Sequence, residues 1–445
     1  MTARDPRRDV PRTDVVLADP RLRAAAGRLG SSVVKQAVTD AQARARAGDL
    51  AADRVADAAV SALPARATTL RPVLNATGVV LHTNLGRAPL SPAAVEAMAV
   101  AAAYVDVELD TGTGRRARRG RGTLAALRAA APDAGDVLVV NNGAAALVLA
   151  TTALAAGREV IVSRGEMVEI GDGFRLPDLI ASTGARLREV GTTNRTHLRD
   201  YADAVGPETG CILKVHPSNF RVEGFTSSVE VPELARLGVP VVADVGSGLL
   251  GPDPLLPDEP DARTALRAGA AVVTCSADKL LGGPQAGLIL GHADQVERLR
   301  RHPLARALRV DKTTLAALEA TLRGPLTPTW QALRADPDEL RTRAQTLAEA
   351  VADAVPAEVV TSDGVVGGGG APGLPLPGWA VALPAGYAEV LRLGDPSVLA
   401  RVERDRCLLD LRCIPAGSDP AVRDAVLAAA STTPSTPTRP STAPR

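Results

Sequence analysis

Short apolar runs alternate with longer amphipathic segments between residues 74 and 291. The apolar runs have the length and composition of buried strands and predict strands at 137–140, 159–163, 186–190, 211–215, 239–244, 271–275 and 286–290. Helical periodicity fills most of the gaps, at 93–104, 123–130, 144–156, 232–237 and 262–268. This alternation predicts βαβ units, and therefore an α/β fold with a mainly parallel sheet that is covered on both faces.

The chain on either side of this region has a different pattern. The segment 1–70 contains three helical stretches and no apolar strand run, so it predicts a separate helical module. After residue 310, helical segments precede short strand-like runs, which predicts a smaller α+β domain. The segment 431–445 is rich in Ser, Thr and Pro and is typical of a disordered tail. The predicted domains are 1–70, 71–310, 311–430 and the tail 431–445.

The composition is that of an ordinary globular protein, with 46% hydrophobic and 23% charged residues. No apolar run reaches the roughly 18 residues that a membrane-spanning helix needs, and no signal peptide is predicted. The four cysteines lack paired spacing, and no His, Cys and carboxylate set has metal-site spacing, so we predict no metal. Together these features predict a cytoplasmic protein without a membrane partner.

Positive charge is concentrated in two places, although the net charge is only +1. Residues 1–70 carry 12 Lys and Arg against 8 Asp and Glu, and residues 114–122 contain five arginines. The arginine cluster has two interpretations, a solvated loop or an anion site, because the guanidinium group matches phosphate oxygens. Aromatic residues are only 2% of the chain, so any RNA partner would be bound through its backbone and shape and not by base stacking.

An aspartate and a lysine follow two of the predicted buried strands. Asp244 ends the apolar run 239–243, and Lys279 lies a few residues after the run 270–274, ahead of a Gly-Gly-Pro turn. In open α/β sheets, ligands bind at the carboxyl ends of the strands. Pyridoxal phosphate (PLP) enzymes need a lysine that binds the cofactor covalently and a carboxylate that keeps the pyridine nitrogen protonated. Asp244 and Lys279 therefore predict a PLP enzyme.

Two further segments contain candidate cofactor-binding residues. Asn142, Gly143 and Ala144 follow the strand 137–140 and begin a helix, where backbone N–H groups can bind a phosphate; an ordinary strand-to-helix turn is the alternative. Ser276 could add a hydroxyl to the same phosphate or cap its own turn. His216 and Ser218 follow the strand 211–215, at a position from which side chains can reach a cofactor, although a histidine of this kind is often structural.

Taken together, these segments resemble the bacterial selenocysteine synthase family, the L-seryl-tRNA(Sec) selenium transferases. The resemblance covers about residues 10–415, and its most specific run is Asp-Lys-Leu-Leu-Gly-Gly-Pro-Gln-Ala-Gly at 278–287. It also includes residues 74–89, 162–171, 190–197 and 306–312. It implies a fold-type I PLP-dependent transferase that assembles as a homo-oligomeric ring of dimers. By the same likeness, the N-terminal module resembles a tRNA-binding domain.

The resemblance also implies roles for individual residues. Lys279 matches the PLP lysine, and Asp278 matches a neighbouring active-site carboxylate. Arg119, Arg306 and Arg309 match arginines that hold an anionic selenium donor. The family's Arg-Gly-Ser-Arg followed by an aromatic is replaced here by Arg116-Ala-Arg-Arg119-Gly, so Arg116 remains a candidate beside Arg119.

The reaction implied is a β-replacement. Serine attached to tRNA(Sec) would lose its hydroxyl, and selenium from selenophosphate would take its place, giving selenocysteinyl-tRNA(Sec). Two alternatives remain. A PLP enzyme of the same fold could act on a small amino acid or an amino-sugar phosphate, although such an enzyme has no need of the N-terminal helical module. The second alternative is a tRNA-binding protein without catalysis.

Overall fold

A computed structural model describes residues 9–170 and 173–432. The chain divides into two compact units, Met1–Pro72 and Val73–Arg445. Most of the predicted tail, residues 433–445, lies outside the described residues, whereas residues 431 and 432 end the last helix. In the described part of the chain, no helix is long and apolar enough to cross a membrane.

The described part of the first unit contains helices and connecting segments but no strand. Its α-helices are Thr13–Leu17, Pro20–Leu29, Ser31–Ala47 and Val55–Ser61, with a short 3-10 helix at Ala52–Arg54. Leu22, Val34, Val38 and Val55 are fully buried between these helices and form a small core of their own. Because this core is self-contained, the unit has the stabilising burial that a separate module needs.

A seven-stranded sheet forms the centre of the second unit. Its strands lie in the spatial order Asp136–Val140, Gly287–Gly291, Val272–Ser276, Val241–Val245, Thr209–Val215, Glu159–Ser163 and Arg186–Val190. The strand Gly287–Gly291 runs antiparallel to both of its neighbours, and the other pairings are parallel. The predicted α/β fold with a mainly parallel sheet is therefore confirmed, with each predicted strand within two residues of its observed bounds.

Two apolar clusters cover the two faces of this sheet. Successive residues such as Val160 and Ile161 belong to opposite clusters, because side chains alternate between the faces of a strand. The helix Arg121–Ala130 contributes to one cluster and the helix Gly143–Ala155 to the other. The other helices of this region are Pro92–Ala102, Leu176–Ser182, Leu198–Ala202, Val231–Leu234, Ala262–Arg267, Ala293–Arg301, Leu304–Ala307 and Lys312–Arg323.

Two smaller sheets contain strands from both ends of the second unit. One has the order Val73–Ala76, Ser397–Glu403, Arg406–Asp410, Trp379–Pro384 and Glu358–Thr361. The other has the order Pro375–Leu376, Gly364–Gly367 and Val79–Leu81. This part of the unit also contains the helices Pro328–Leu333, Pro337–Val351, Tyr387–Leu393 and Asp419–Thr432. Two short strand pairs complete the secondary structure of the unit: Leu109–Asp110 with Arg115–Arg116, and Glu169–Ile170 with Phe174–Arg175.

The first strand of the second unit pairs with a distant part of the chain. Val73–Ala76 lies parallel to Ser397–Glu403. The partner strand lies near the opposite end of the second unit in sequence, so no local pattern could indicate this pairing. The division of the second unit at residue 310 stays a prediction.

Candidate active site

Asp244 and Lys279 lie at the carboxyl ends of two neighbouring parallel strands. Asp244 belongs to the strand Val241–Val245, and Lys279 follows the strand Val272–Ser276. Asp244 pairs in register with Thr274, whose hydroxyl donates a hydrogen bond to Asp244 Oδ1 at 2.6 Å. This bond fixes one carboxylate oxygen of Asp244 and leaves the other oxygen for a ligand.

The second oxygen of Asp244 and the amine of Lys279 face the same space. A Cβ atom built on Gly246 would lie 3.8 Å from Lys279 Nζ and 3.9 Å from Asp244 Oδ2. Ser218 Oγ lies 3.7 Å from the same point. Because Gly246 has no side chain, the space between these three polar groups stays open, and they can contact one ligand together.

The surroundings of Lys279 favour its neutral amine. Lys279 is only 8% exposed, and burial lowers the pKa of its amine. The nearby Arg87 acts in the same direction, while Asp244 and Asp278 oppose it without reversing the shift. A neutral amine can act as a nucleophile or as a base.

Asp244 shows the opposite shift for the same reason. Burial raises the pKa of its carboxyl, although the Thr274 hydroxyl, Lys279 and His216 each favour the carboxylate. A cation placed against Asp244 Oδ2 would therefore be bound strongly, because it would compensate the cost of burying the charge. A protonated pyridine nitrogen is such a cation.

The helix Gly143–Ala155 begins in the same cleft. Asn142 caps it by accepting a hydrogen bond from the Ala145 N–H at 2.8 Å. Ser276 closes the other side of this helix end, since a Cβ atom at Gly143 would clash with Ser276 Oγ. Free N–H groups in the first turn of a helix, together with a nearby hydroxyl, suit a phosphate.

One cleft is lined by most of the predicted cofactor residues. Its lining includes Gly143, Ala144, His216, Ser218, Asp244, Ser276 and Lys279. Asn142 caps the helix at its edge, and Asp278 precedes the lysine. The tertiary structure thus brings together side chains from separate segments of the sequence. This set fits PLP: it offers an amine, a carboxylate for the ring nitrogen and a helix N-terminus for the phosphate.

Three residues of this region carry no signal in the sequence pattern. Arg87 lies next to the lysine segment and donates to Asp278 Oδ2 at 2.8 Å. Gly369 lies against Lys279, because a Cβ atom there would be 2.6 Å from Lys279 Cδ. Glu259 is buried 3.4 Å from His216 Nε2. The first two lie in segments that were recognised only as loops, and their proximity to Lys279 depends on long-range packing.

Three of the arginines that were predicted to hold the selenium donor surround the carboxylate of Glu108. Glu108 accepts from Arg116, Arg119 and Arg309 at 3.0, 3.2 and 3.4 Å. These arginines hold the pKa of Glu108 below its usual value, Arg119 most strongly, against the opposing effect of burial. The short strand pair of Leu109–Asp110 and Arg115–Arg116 brings the arginine cluster back to Glu108.

Three of the four candidate arginines line one cavity. The cavity has a volume of about 370 Å³, and its lining includes Arg119, Arg306 and Arg309 but not Arg116, which is 82% exposed. Its lining does not include the residues of the Lys279 cleft. The two sites are nevertheless linked through the backbone, since Asn141 N–H donates to the carbonyl of Leu308 at 3.1 Å.

Known proteins are similar to this chain in sequence and in fold. Residues 73–415 match the family described as L-seryl-tRNA selenium transferase, and residues 7–46 match the family described as selenocysteine synthase N terminal. The L-seryl-tRNA(Sec) selenium transferase of Moorella thermoacetica is 47% identical over 376 residues, 78% of this chain and 79% of the relative. The protein of the same name from Geobacter sulfurreducens is 45% identical over 430 residues, 89% of this chain and 92% of the relative.

A solved structure supports the fold independently. D-glucosaminate-6-phosphate ammonia-lyase superposes with a TM-score of 0.58 at 19% identity, covering 82% of this chain and 96% of the ammonia-lyase. At this identity the likeness shows the fold alone, and it agrees with the predicted α/β fold class. Since the family match spans residues 73–415 and relatives at 45% identity or more cover most of the chain, this protein belongs to the L-seryl-tRNA selenium transferase family.

Proposed function

We propose that this protein converts seryl-tRNA(Sec) to selenocysteinyl-tRNA(Sec) by a PLP-dependent β-replacement with selenium from selenophosphate. The observation that carries the proposal is the buried Lys279 amine, which shares one open space with Asp244 Oδ2. Relatives that cover most of the chain are named L-seryl-tRNA(Sec) selenium transferase. The small-molecule alternative shares the cleft but does not account for the helical first unit.

Each cofactor contact has a residue suited to it. Lys279 would bind PLP covalently, and Asp244 would hold the protonated pyridine nitrogen. Asn142, Gly143, Ala144 and Ser276 would hold the phosphate at the helix N-terminus. His216 and Ser218 line the remaining wall of the cleft. When bound, PLP supplies the electron sink that stabilises negative charge at the Cα atom of the substrate.

Lys279, released when the seryl amine takes its place on the cofactor, would then move the protons of the reaction. Burial lowers the pKa of its amine, which favours the neutral form that can remove the Cα proton of the seryl group. The ammonium formed in this way can return the proton to the seryl hydroxyl, which leaves Cβ as water. Asp278 lies beside this lysine and, with Arg87, sets the local charge.

The arginine cavity would hold the selenium donor. Arg119, Arg306 and Arg309 present guanidinium groups to one cavity, and guanidinium groups bind tetrahedral oxyanions such as selenophosphate. Arg116 remains a candidate because it donates to the same Glu108 carboxylate as Arg119 and Arg309. Because this cavity and the Lys279 cleft have separate linings within one chain, we include in the proposal the homo-oligomeric ring of dimers that the family resemblance implies.

The first unit would bind tRNA. Its excess of Lys and Arg over Asp and Glu suits a phosphate backbone. An electrophoretic shift with seryl-tRNA(Sec) and with seryl-tRNA(Ser), using the full chain and a protein that lacks residues 1–72, tests this role. We expect binding selective for tRNA(Sec) that disappears with the truncation. Equal or absent binding, with a normal cofactor spectrum, would favour the small-molecule enzyme. The proposed substrate implies a cytoplasmic enzyme.

Lys279→Ala tests the catalytic assignment. We expect loss of the visible absorbance of lysine-bound PLP and loss of turnover, whereas Lys35→Ala, an exposed lysine in the first unit, keeps the absorbance. An unchanged PLP spectrum in Lys279→Ala would refute the assignment of this lysine.

A further inference from the structure

Glu259 is a buried carboxylate to which no role has been given so far. It lies in the loop between the strand Val241–Val245 and the helix Ala262–Arg267, and it is only 7% exposed. Burial of a carboxylate is costly unless the charge is compensated by specific partners. The partners of Glu259 therefore indicate why a carboxylate is present at this position.

One oxygen of Glu259 faces His216. Glu259 Oε1 lies 3.4 Å from His216 Nε2, within ion-pair distance, and both atoms are buried. The Ser247 hydroxyl also favours the Glu259 carboxylate. Burial raises the pKa of Glu259, yet this pKa lies below its ordinary value, chiefly because His216 stabilises the carboxylate. A carboxylate on one ring nitrogen of a histidine fixes both the tautomer and the orientation of the ring. His216 is a wall residue of the Lys279 cleft.

The other oxygen of Glu259 holds the backbone next to Lys279. Glu259 Oε2 accepts a hydrogen bond from the Ala371 N–H at 2.7 Å. Ala371 directly follows the glycine segment, residues 367–370, and has a φ of 43°, which is a strained conformation for a residue with a side chain. Within this segment Gly369 lies against Lys279, and the gap between them is too small for a side chain on residue 369.

We propose that Glu259 is a positioning residue that fixes His216 in the wall of the cofactor cleft and holds the glycine segment over Lys279. This inference rests on the proposed function, because it assumes that His216 and Lys279 bind PLP. A single carboxylate would thereby connect two sides of the cleft that come from distant parts of the sequence. Such a residue acts through its neighbours and contacts neither cofactor nor substrate.

Two substitutions separate the two contacts. In Glu259→Gln, the amide oxygen can still accept from Ala371, but the amide N–H₂ group now faces His216 Nε2 and forces the ring proton to Nδ1. In Glu259→Ala, both contacts are lost. Asp258→Asn is the matched control, because it removes the charge of the adjacent, exposed carboxylate.

The experiment measures PLP affinity by absorbance titration, and hydrogen exchange of residues 367–374 in protein freed of cofactor. We expect Glu259→Gln to weaken PLP binding about tenfold with unchanged exchange, and Glu259→Ala to weaken it further with faster exchange. Asp258→Asn should stay within twofold of the unmodified protein in affinity. Affinity within twofold of the unmodified protein for Glu259→Gln, or unchanged exchange in Glu259→Ala, would overturn the inference.

A double-mutant cycle excludes a merely structural effect. If Glu259 acts through His216, then Glu259→Gln has little further effect on PLP affinity once His216 is replaced by Ala. Additive losses would contradict the inference. Failure of the unmodified protein to bind PLP would overturn the proposed function instead, so the two hypotheses fail in different ways.

Discussion

Arg87 donates a hydrogen bond from Nη1 to Asp278 Oδ2 at 2.8 Å, although the two residues are 191 positions apart in the chain. The backbone repeats the contact, since Ala88 N–H donates to the carbonyl of Asp278 at 3.3 Å. Arg87 has a φ of 66°, an unfavourable conformation that the surrounding contacts must stabilise. This ion pair places one positive and one negative charge next to Lys279.

Removing the charge of Arg87 should make Lys279 harder to deprotonate. Arg87 lowers the pKa of Lys279, so Arg87→Met should raise it, because a nearby cation no longer disfavours the ammonium. We expect turnover at neutral pH to fall on the order of tenfold and to recover partly at higher pH. In protein freed of PLP, the pH dependence of the rate at which the Lys279 amine is acylated reports this pKa. Asp278→Asn should shift this pKa downward, and a shift of the same sign in both variants would contradict the electrostatic explanation.

Gly143 should tolerate no side chain beside Ser276. A Cβ atom there would clash with Ser276 Oγ, so Gly143→Ala should destabilise the protein by about 1 to 3 kcal/mol and weaken PLP binding. The Ser276 Cβ atom is 3.6 Å away, so adding Ser276→Ala should restore most of the lost stability. Denaturant unfolding measures both effects. Gly206→Ala, at a site with open space, is the control, and an equal loss there would show that the packing at Gly143 is not special.

Arg306 should affect the selenium donor and not the cofactor. It is exposed, lines the arginine cavity, and has no ion-pair partner among the described side chains, so its charge is available to an anion. Loss of a charged hydrogen bond costs about 1.5 to 3 kcal/mol, so Arg306→Ala should raise the KM for selenophosphate roughly 10- to 100-fold. Steady-state kinetics and a PLP titration separate the two effects. Arg298→Ala, an exposed arginine outside the cavity lining, should leave the KM unchanged; a rise in both variants would indicate a general charge effect.

Asp311 should stabilise the helix Lys312–Arg323 in a pH-dependent way. Its Oδ1 atom accepts from the N–H groups of Thr313 and Thr314 at 2.7 and 2.9 Å. Burial opposes ionisation, but the hydroxyl of Thr313, together with the Thr314 hydroxyl and these two N–H groups, lowers the pKa of Asp311 to about 2. Since this pKa is below that of the unfolded chain, the stabilisation is present above about pH 4 and is lost as the pH falls through about 2.

Asp311→Ala should therefore cost about 1 kcal/mol of unfolding free energy near neutral pH, and less as the pH falls toward about 2. Denaturant titrations at several pH values measure this difference. Asp311→Asn retains a capping oxygen and should show a smaller loss without the pH dependence. A loss in Asp311→Ala that does not change with pH would argue against a role for the ionised carboxylate.

Much of the large sheet could be predicted from the sequence because most of its strands are apolar runs buried on both faces. The predicted bounds at 159–163 match such a strand, and those at 186–190 match the edge strand, which is largely exposed. The same logic placed Asp244 and Lys279 at strand ends, since a polar residue after such a run lies at the ligand-binding edge of a parallel sheet. The arginine cluster was less informative, because charge alone does not show that Glu108 accepts hydrogen bonds from Arg116, Arg119 and Arg309.

The α/β class, the helical first unit and the two strand-end residues follow from the amino-acid pattern alone, because periodicity and apolar runs are local properties of the chain. The pairing of Val73–Ala76 with Ser397–Glu403, and the positions of Arg87 and Glu259 beside the lysine cleft, depend on the tertiary structure. These contacts join segments that are far apart in the chain. They become favourable only when folding packs and desolvates the two segments together, so neither segment indicates its partner by its own sequence.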